Sequence, residues 1–273
     1  MRGIRTIMNK ELRDALESRW LVSFALTFAL LALMLSFVQG NSGEAGSQGF
    51  NRTTAGLINL CLLLVPLLAL VLGAASISGE RERGTLATLL SQPITPVELF
   101  VGKYVGLTIA VWLALALGFG GAGLLMALVN PLTDIGHYAL FVVLSAVLAS
   151  SMLSLGMLIS VLSNSRVKAL ALAVMVWFVV VLFYDLGAIS LALWVSSSGQ
   201  TLTLAALGNP VEAVRLLAVM SLEPDLQVLG PLGAYLTDEI GRSMSMVLLS
   251  AGVLAWTLAP LAFAARVFNA QDS

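Results

Sequence analysis

The sequence predicts an all-α, polytopic membrane protein. Three observations carry that expectation. Of the 273 residues 59% are hydrophobic and only 11% charged. The charges leave long windows free of Asp, Glu, Lys and Arg, and the basic residues gather on one side of those windows. An ordinary soluble domain is about a quarter charged. A soluble chain of this length could not hide so much apolar surface, and a disordered or fibrous one needs more polar or repetitive sequence. The net charge of −1 gives no reason to expect a nucleic-acid partner. One cysteine, Cys61, and one histidine, His137, cannot make an intrachain disulfide or a four-ligand zinc site.

Residues 1–19 open the chain as an amphipathic helix. Ile4, Ile7, Met8, Leu12, Ala15 and Leu16 fall on one face, with Arg2, Arg5, Lys10, Arg13 and Glu17 on the other. Two sites suit such a helix: the membrane interface just before a span, or the protein's own surface. Acidic residues interrupt its basic region and the span that follows is too long for a signal-peptide core, so it does not read as a cleaved leader.

A crossing needs roughly 20 apolar residues. That predicts six spans, at about 20–39, 57–78, 104–129, 137–162, 167–194 and 243–265. The fifth needs a decision, because Asp185 divides an uncharged run. Beyond it the chain is apolar only from Leu186 to Val195 before Ser196-Ser197-Ser198-Gly199-Gln200. Ten residues rise about 15 Å, half of a crossing. One long helix from Arg166 to Trp194 is the better reading. It puts Asp185 about 25 Å along, near the far interface, where a carboxylate is far cheaper than at the midplane. With the N-terminus inside, eleven basic residues fall in inner segments and three (Arg52, Arg215 and Arg242) in outer ones, so both termini are expected to be cytoplasmic.

The inner loop 79–103 is the most informative stretch. Gly79-Glu80-Arg81-Glu82-Arg83-Gly84 marks where the second span leaves the bilayer. Thr85 to Gln92 predicts a two-turn helix with Leu86, Leu89 and Leu90 on one side, stopped by Pro93. Thr95 and Glu98 form a capping box with Pro96 at the first helical position, so a new helix runs from Pro96 through Lys103 into the third span. The short leucine-faced helix fits two roles equally: a docking knob for a cytoplasmic partner, or a structured loop whose leucines dip into lipid. On the outer side, segment 196–241 is acidic. Within it Asn209 caps a helix, Pro210 sits in its first turn and Glu212 favours the helix dipole. That helix is apolar almost all round, so membrane, partner or its own spans must cover it.

No hydrolytic or redox site is legible. Gly102-Lys103 lacks the glycine five residues earlier and the following Ser or Thr of a phosphate-binding loop. No span carries a charge near its midplane. Small residues such as Gly118, Gly120, Gly121, Gly123, Ala146, Ala149, Ser150, Ser151, Ser154 and Gly156 read as helix packing, with a narrow pathway as the alternative. Pro66 is expected to kink the second span. Ten methionines raise a copper reading, but Met244 and Met246 point to different helix faces and Met152 with Met157 fare no better, so they read as apolar packing.

The loop Gly79-Glu80-Arg81-Glu82-Arg83-Gly84-Thr85, its leucine-rich helix, the proline after it and Lys103 resemble the permease subunits of ABC-2-type ABC transporters. The amphipathic start, the six spans and Asn209-Pro210-Val211-Glu212-Ala213-Val214-Arg215 are similar too, so the resemblance covers the whole chain. Gly84 to Ile94 and the short Ser163–Lys168 loop look most like permeases of the transporters that mature the copper centres of nitrous oxide reductase. The resemblance implies a non-enzymatic permease of the bacterial inner membrane, paired with a second copy of itself. Two cytoplasmic ATPase subunits, which bind the ATP and Mg, would dock on the 84–93 helix, and a periplasmic β-helical protein on the outer segment. This chain would hold no cofactor, and lipid would surround it. The implied ATPase-coupling residues are Glu80, Arg81, Glu82, Arg83, Thr85, Leu86, Leu89, Leu90, Pro93, Glu98 and Lys103. The implied outer contact is Asn209, Pro210, Glu212, Arg215, Leu216 and Met220. Two other classes stay open: an exporter of a lipid, drug or glycan, and a non-transporting assembly anchor.

Overall fold

In the computed structural model, residues 2–18, 48–91, 93–129, 135–184, 199–222 and 231–271 are described, with isolated positions between 23 and 34 and at 186–187. The first expected span, Gln92, Asp185, the end of the fifth span and Glu223–Asp225 lie outside the described residues. What is described is helical throughout. In order come α1 (Arg2–Glu17), α2 (Gln48–Glu82), the short α3 (Thr85–Leu90), α4 (Pro96–Val129), α5 (Ile135–Leu162) and α6 (Arg166–Trp177), which widens into a π-helical turn over Phe178–Phe183. There follow α7 (Gly199–Leu207), α8 (Pro210–Leu222), α9 (Pro231–Ala234) with a second π-helical stretch over Tyr235–Glu239, and α10 (Arg242–Gln271).

Among the described residues, five segments are long and apolar enough to cross a membrane: Asn59–Glu82, Pro96–Gly121, Tyr138–Leu162, Arg166–Phe183 and Arg242–Gln271. They match the second to sixth expected spans. The pair α7 and α8 also qualifies if counted as one broken span, but it bends by 118° at the junction. The first three spans are 56% buried over their apolar windows and the last two only 17%, so α2, α4 and α5 are the centre and α6 and α10 the rim.

The central pair is α2 against α5, and glycine sets their distance. A Cβ on Gly73 would stand 2.6 Å from Leu153 O, and one on Gly156 would stand 2.5 Å from Leu70 O. The two backbones touch where only a hydrogen fits, the close approach that small residues permit between spans. One turn further on, the amides of Ile77 and Ser78 both donate to Ser160 Oγ, at 3.0 and 2.8 Å. In lipid, helix association cannot draw on the hydrophobic effect, so packing and such polar ties carry more of it. The other serines read from the sequence as packing residues act alike. Ser151 Oγ lies 2.6 Å from Thr257 Oγ1, and Ser154 Oγ donates to Trp256 O, tying α5 to α10. The α4 residues Tyr104 and Trp112 donate to Ser150 O and Ala146 O of α5. Beside Pro66, which has no amide to offer, Leu63 O accepts the indole N–H of Trp177 at 2.9 Å. Met152 and Met157 are fully buried in apolar clusters.

The helix α1 packs against the protein itself. The helix crosses the start of α4 over two glycines: a Cβ on Gly102 would stand 2.9 Å from Ile7 Cβ, and one on Gly106 would stand 2.8 Å from Met8 O. Ile7 is buried there, while Arg5, Asn9, Lys10, Arg13 and Asp14 face outward.

The helix α8 is also covered from within. Val211, Ala213, Val214, Leu216, Leu217, Ala218 and Met220 all belong to the main apolar cluster, shared with α2, α5 and α10. Its caps are polar, one from the adjoining Asn209 and one from Arg242 of α10. Asn209 Oδ1 accepts from the Val211 amide at 2.9 Å, and its Nδ2 donates to Val180 O in the π-helical turn at 2.7 Å. At the other end the Arg242 guanidinium donates to Met220 O. Nothing in the sequence marks the π-helical turn in the uniform run Phe178-Val179-Val180-Val181-Leu182-Phe183.

Candidate functional site

At the end of the bundle that carries α1, the residues of loop 79–103 form three clamps around the short helix α3. The first is an ion triad. Lys103 Nζ lies 2.7 Å from Glu11 Oε1 of α1 and 2.8 Å from Glu80 Oε1 of α2. The side chains are 2%, 11% and 8% exposed, respectively. Lys10, half exposed, stands 3.7 Å from Glu11 Oε1 and 3.9 Å from Glu80 Oε1. A lone buried ammonium would be far too costly; two carboxylates at hydrogen-bond distance make its burial tolerable.

Arg81 makes the second clamp. Its Nη1 donates to Val161 O at 3.1 Å and Ser163 O at 2.8 Å, and its Nη2 to Gln271 Oε1 at 2.9 Å. Those carbonyls close α5, where the last turn leaves acceptors unpaired and the helix dipole favours a cation. The third clamp runs the opposite way. Glu82 Oε2 accepts from the Arg166 amide at 2.6 Å, at the N-terminus of α6, where the dipole favours an anion. Ser165 completes that cap by accepting from the Lys168 amide. One Arg-Glu dipeptide thus holds both sides of the turn between α5 and α6. Replacing Arg81 with Ala is expected to cost about 1.5–3 kcal/mol, the range for hydrogen bonds to a charged group. Faster amide exchange around Ser163–Ser165, with α8 unaffected, is the measurement that checks it.

Gly84 then turns the chain with φ +72°, a left-handed conformation that favours glycine, and α3 begins. Thr85 Oγ1 ties the start of α3 back to Glu80 O at 3.3 Å. After Pro93 the capping box reads as the spacing predicts. Glu98 N donates to Thr95 Oγ1 at 3.2 Å, and Thr95 N donates to Glu98 Oε2 at 3.3 Å.

This geometry redistributes the coupling residues implied by the sequence. Glu80 and Lys103 are interior, so they position the loop and offer no surface to a partner. Arg81 and Glu82 are spent on helix ends. Leu86 is buried with Ile7, Phe100 and Phe268, and Leu89 packs against the same cluster. Leu86 and Leu89 of α3 therefore face the protein. The reason is local: α3 is held at both ends by its own chain, and its apolar face is the one that the clamped ends turn toward the core. What faces outward is small and polar: Thr85, Ala87, Thr88 and Ser91, flanked by exposed Arg83 and Pro93.

At the α8 end, Asn209, Pro210, Leu216 and Met220 are buried against the protein's own helices. Glu212 and Arg215, paired at 2.8 Å, are only partly buried. The residue of the first site not read as functional from the sequence is Glu11. A signal exists: it sits at helical spacing between Ile7 and Ala15, a carboxylate on the apolar stripe of α1. A charge there requires a buried counterion, and Lys103 is it.

The described residues form an apolar helical bundle with a short helix held between two spans and small-residue crossings at its centre, an architecture consistent with a multi-pass transporter permease. The family described as "ABC-2 family transporter protein" matches residues 5–273, and the chain belongs to that family. Two relatives share most of its length. It is 33% identical over 278 residues to "Probable ABC transporter permease protein NosY" of Stutzerimonas stutzeri, covering 98% of this chain and 99% of that one. It is 34% identical over 221 residues to the protein of the same name from Pseudomonas aeruginosa, covering 78% and 80%.

Proposed function

We propose that this permease converts ATP-driven movement of partner ATPase subunits into motion of its spans through α3, and that it serves the maturation of the copper centres of nitrous oxide reductase. What supports the mechanical part is the exposed face Thr85, Ala87, Thr88 and Ser91 on a helix joined by its Thr85 hydroxyl and its apolar packing to the end of α2, where Glu80, Arg81 and Glu82 link in turn to α1, α4, α5, α6 and α10. The copper part rests on the NosY relatives and on the loop 79–103 resemblance. In this reading two NosF-like ATPases, holding ATP and Mg, dock on the cytoplasmic side of a homodimer in the bacterial inner membrane, with both termini cytoplasmic. A NosD-like β-helical protein engages the periplasmic side. The drive hands over a sulfur species or copper; the permease itself is not an enzyme and holds no cofactor.

The test is Thr88→Arg, which places a bulky charge on the exposed face without touching a clamp. It is expected to abolish co-purification of the ATPase while leaving the melting temperature of the permease unchanged. Cells carrying it are expected to make nitrous oxide reductase without its complete copper centres. Retained ATPase binding would refute the docking face; fully metallated reductase in such cells would refute the copper role and favour an exporter of another solute.

A further inference from the structure

We propose that Lys103 is a positioning residue that joins α1 and α3 into one moving body, making the N-terminal helix part of the ATP-driven drive. The inference rests on the docking of an ATPase at α3. The two helices are far apart in sequence but share a support. Lys103 holds Glu11 of α1 and Glu80 of α2 on one ammonium, at 2.7 and 2.8 Å. Glu80 O in turn accepts the hydroxyl of Thr85, the first residue of α3. Ile7 of α1 and Leu86 of α3 lie in one buried cluster. Near the start of α1, a Cβ on Gly3 would stand 3.2 Å from Ile94 Cγ2, in the segment that follows α3.

The apolar contacts alone would not fix the pair. Helices that cross closely, as α1 and α4 do at Gly102 and Gly106, can ratchet past one another by one turn. Such a step by α1 would strip Lys103 of Glu11 and leave charges unpaired in the interior. The ion triad therefore holds one register between α1 and the base of α3.

The test follows amide exchange in the permease–ATPase complex in lipid nanodiscs, without nucleotide and with ATP trapped by vanadate. In the native chain, trapping is expected to change protection in α1 and α3 together. Glu11→Gln keeps the shape of the side chain but removes its charge. With it, the response is expected to persist in α3 and to vanish from α1. The single variant Lys103→Arg, which keeps a cation between the two carboxylates, is expected to retain the joint response. Full exchange of α1 in Glu11→Gln even without nucleotide, with α3 still responding, would carry the same conclusion. A native α1 that stays silent while α3 responds, or an α1 that still responds in Glu11→Gln, would overturn the proposal alone. Failure of the ATPase to bind the native chain, or an unresponsive native α3, would overturn the docking reading and this inference with it.

Discussion

Replacing Lys103 with Met is expected to destabilise the permease by about 3 kcal/mol, toward the low end of the roughly 3–5 kcal/mol lost when one partner of a buried ion pair is removed. Met preserves the length of the side chain, so the loss is electrostatic. Glu11 and Glu80 would keep their places in the interior with only the half-exposed Lys10, 3.7–3.9 Å away, for company. The same physics predicts a recovery. The triple variant Lys103→Met, Glu11→Leu, Glu80→Leu removes all three charges together, and replacing a buried ion cluster by apolar groups is often neutral or stabilising. Thermal unfolding of purified protein in one detergent decides it. A single variant as stable as the native chain, or a triple variant no better than the single, would sink the idea that the triad's balance of charge matters.

The second large effect belongs to the α2–α5 crossing. Gly156→Leu is expected to cost at least the upper end of the about 1–3 kcal/mol typical of overpacking. Its Cβ alone would meet Leu70 O at 2.5 Å and Gly73 Cα at 3.0 Å, and these are backbone atoms that cannot swing aside. The helices would have to part, taking the Ser160 hydroxyl away from the amides of Ile77 and Ser78. Gly120→Leu is the control. It adds the same side chain to a span helix at a site with nothing within 4 Å, and it is expected to melt with the native protein. Equal melting of the two variants would show that the crossing tolerates separation.

Much of this was legible in the residues, for identifiable reasons. Local signals were read well because they depend on neighbours in the chain: the Thr95–Glu98 box, the Asn209–Pro210 cap and the proline stop after α3 all stand where their spacing puts them. Apolar windows located the spans because lipid imposes a minimum length. Direction was harder. A two-turn helix with leucines on one side does not say whether that side faces outward or home, and the answer comes from clamps made with residues some 80 positions away, such as Ser163 and Arg166. The outer apolar helix posed the same choice and was settled by its cover of α2, α5 and α10. Lys103 could be named from the loop; its bond to Glu11 spans 92 positions and is a property of the folded chain.

The three clamps have a consequence for descent as well as for motion. Every charged side chain from Glu80 to Glu82 is committed to holding the loop, and Leu86 and Leu89 of α3 are committed to the core. Ala87, Thr88 and Ser91 face outward and make no tie to another helix, so selection can alter them without risking the fold. Permeases built on this plan can exchange one ATPase for another by changes at a few surface positions, while the scaffold beneath stays constant. A library randomised at Ala87, Thr88 and Ser91 and sorted separately for melting temperature and ATPase retention is expected to show the two properties varying independently.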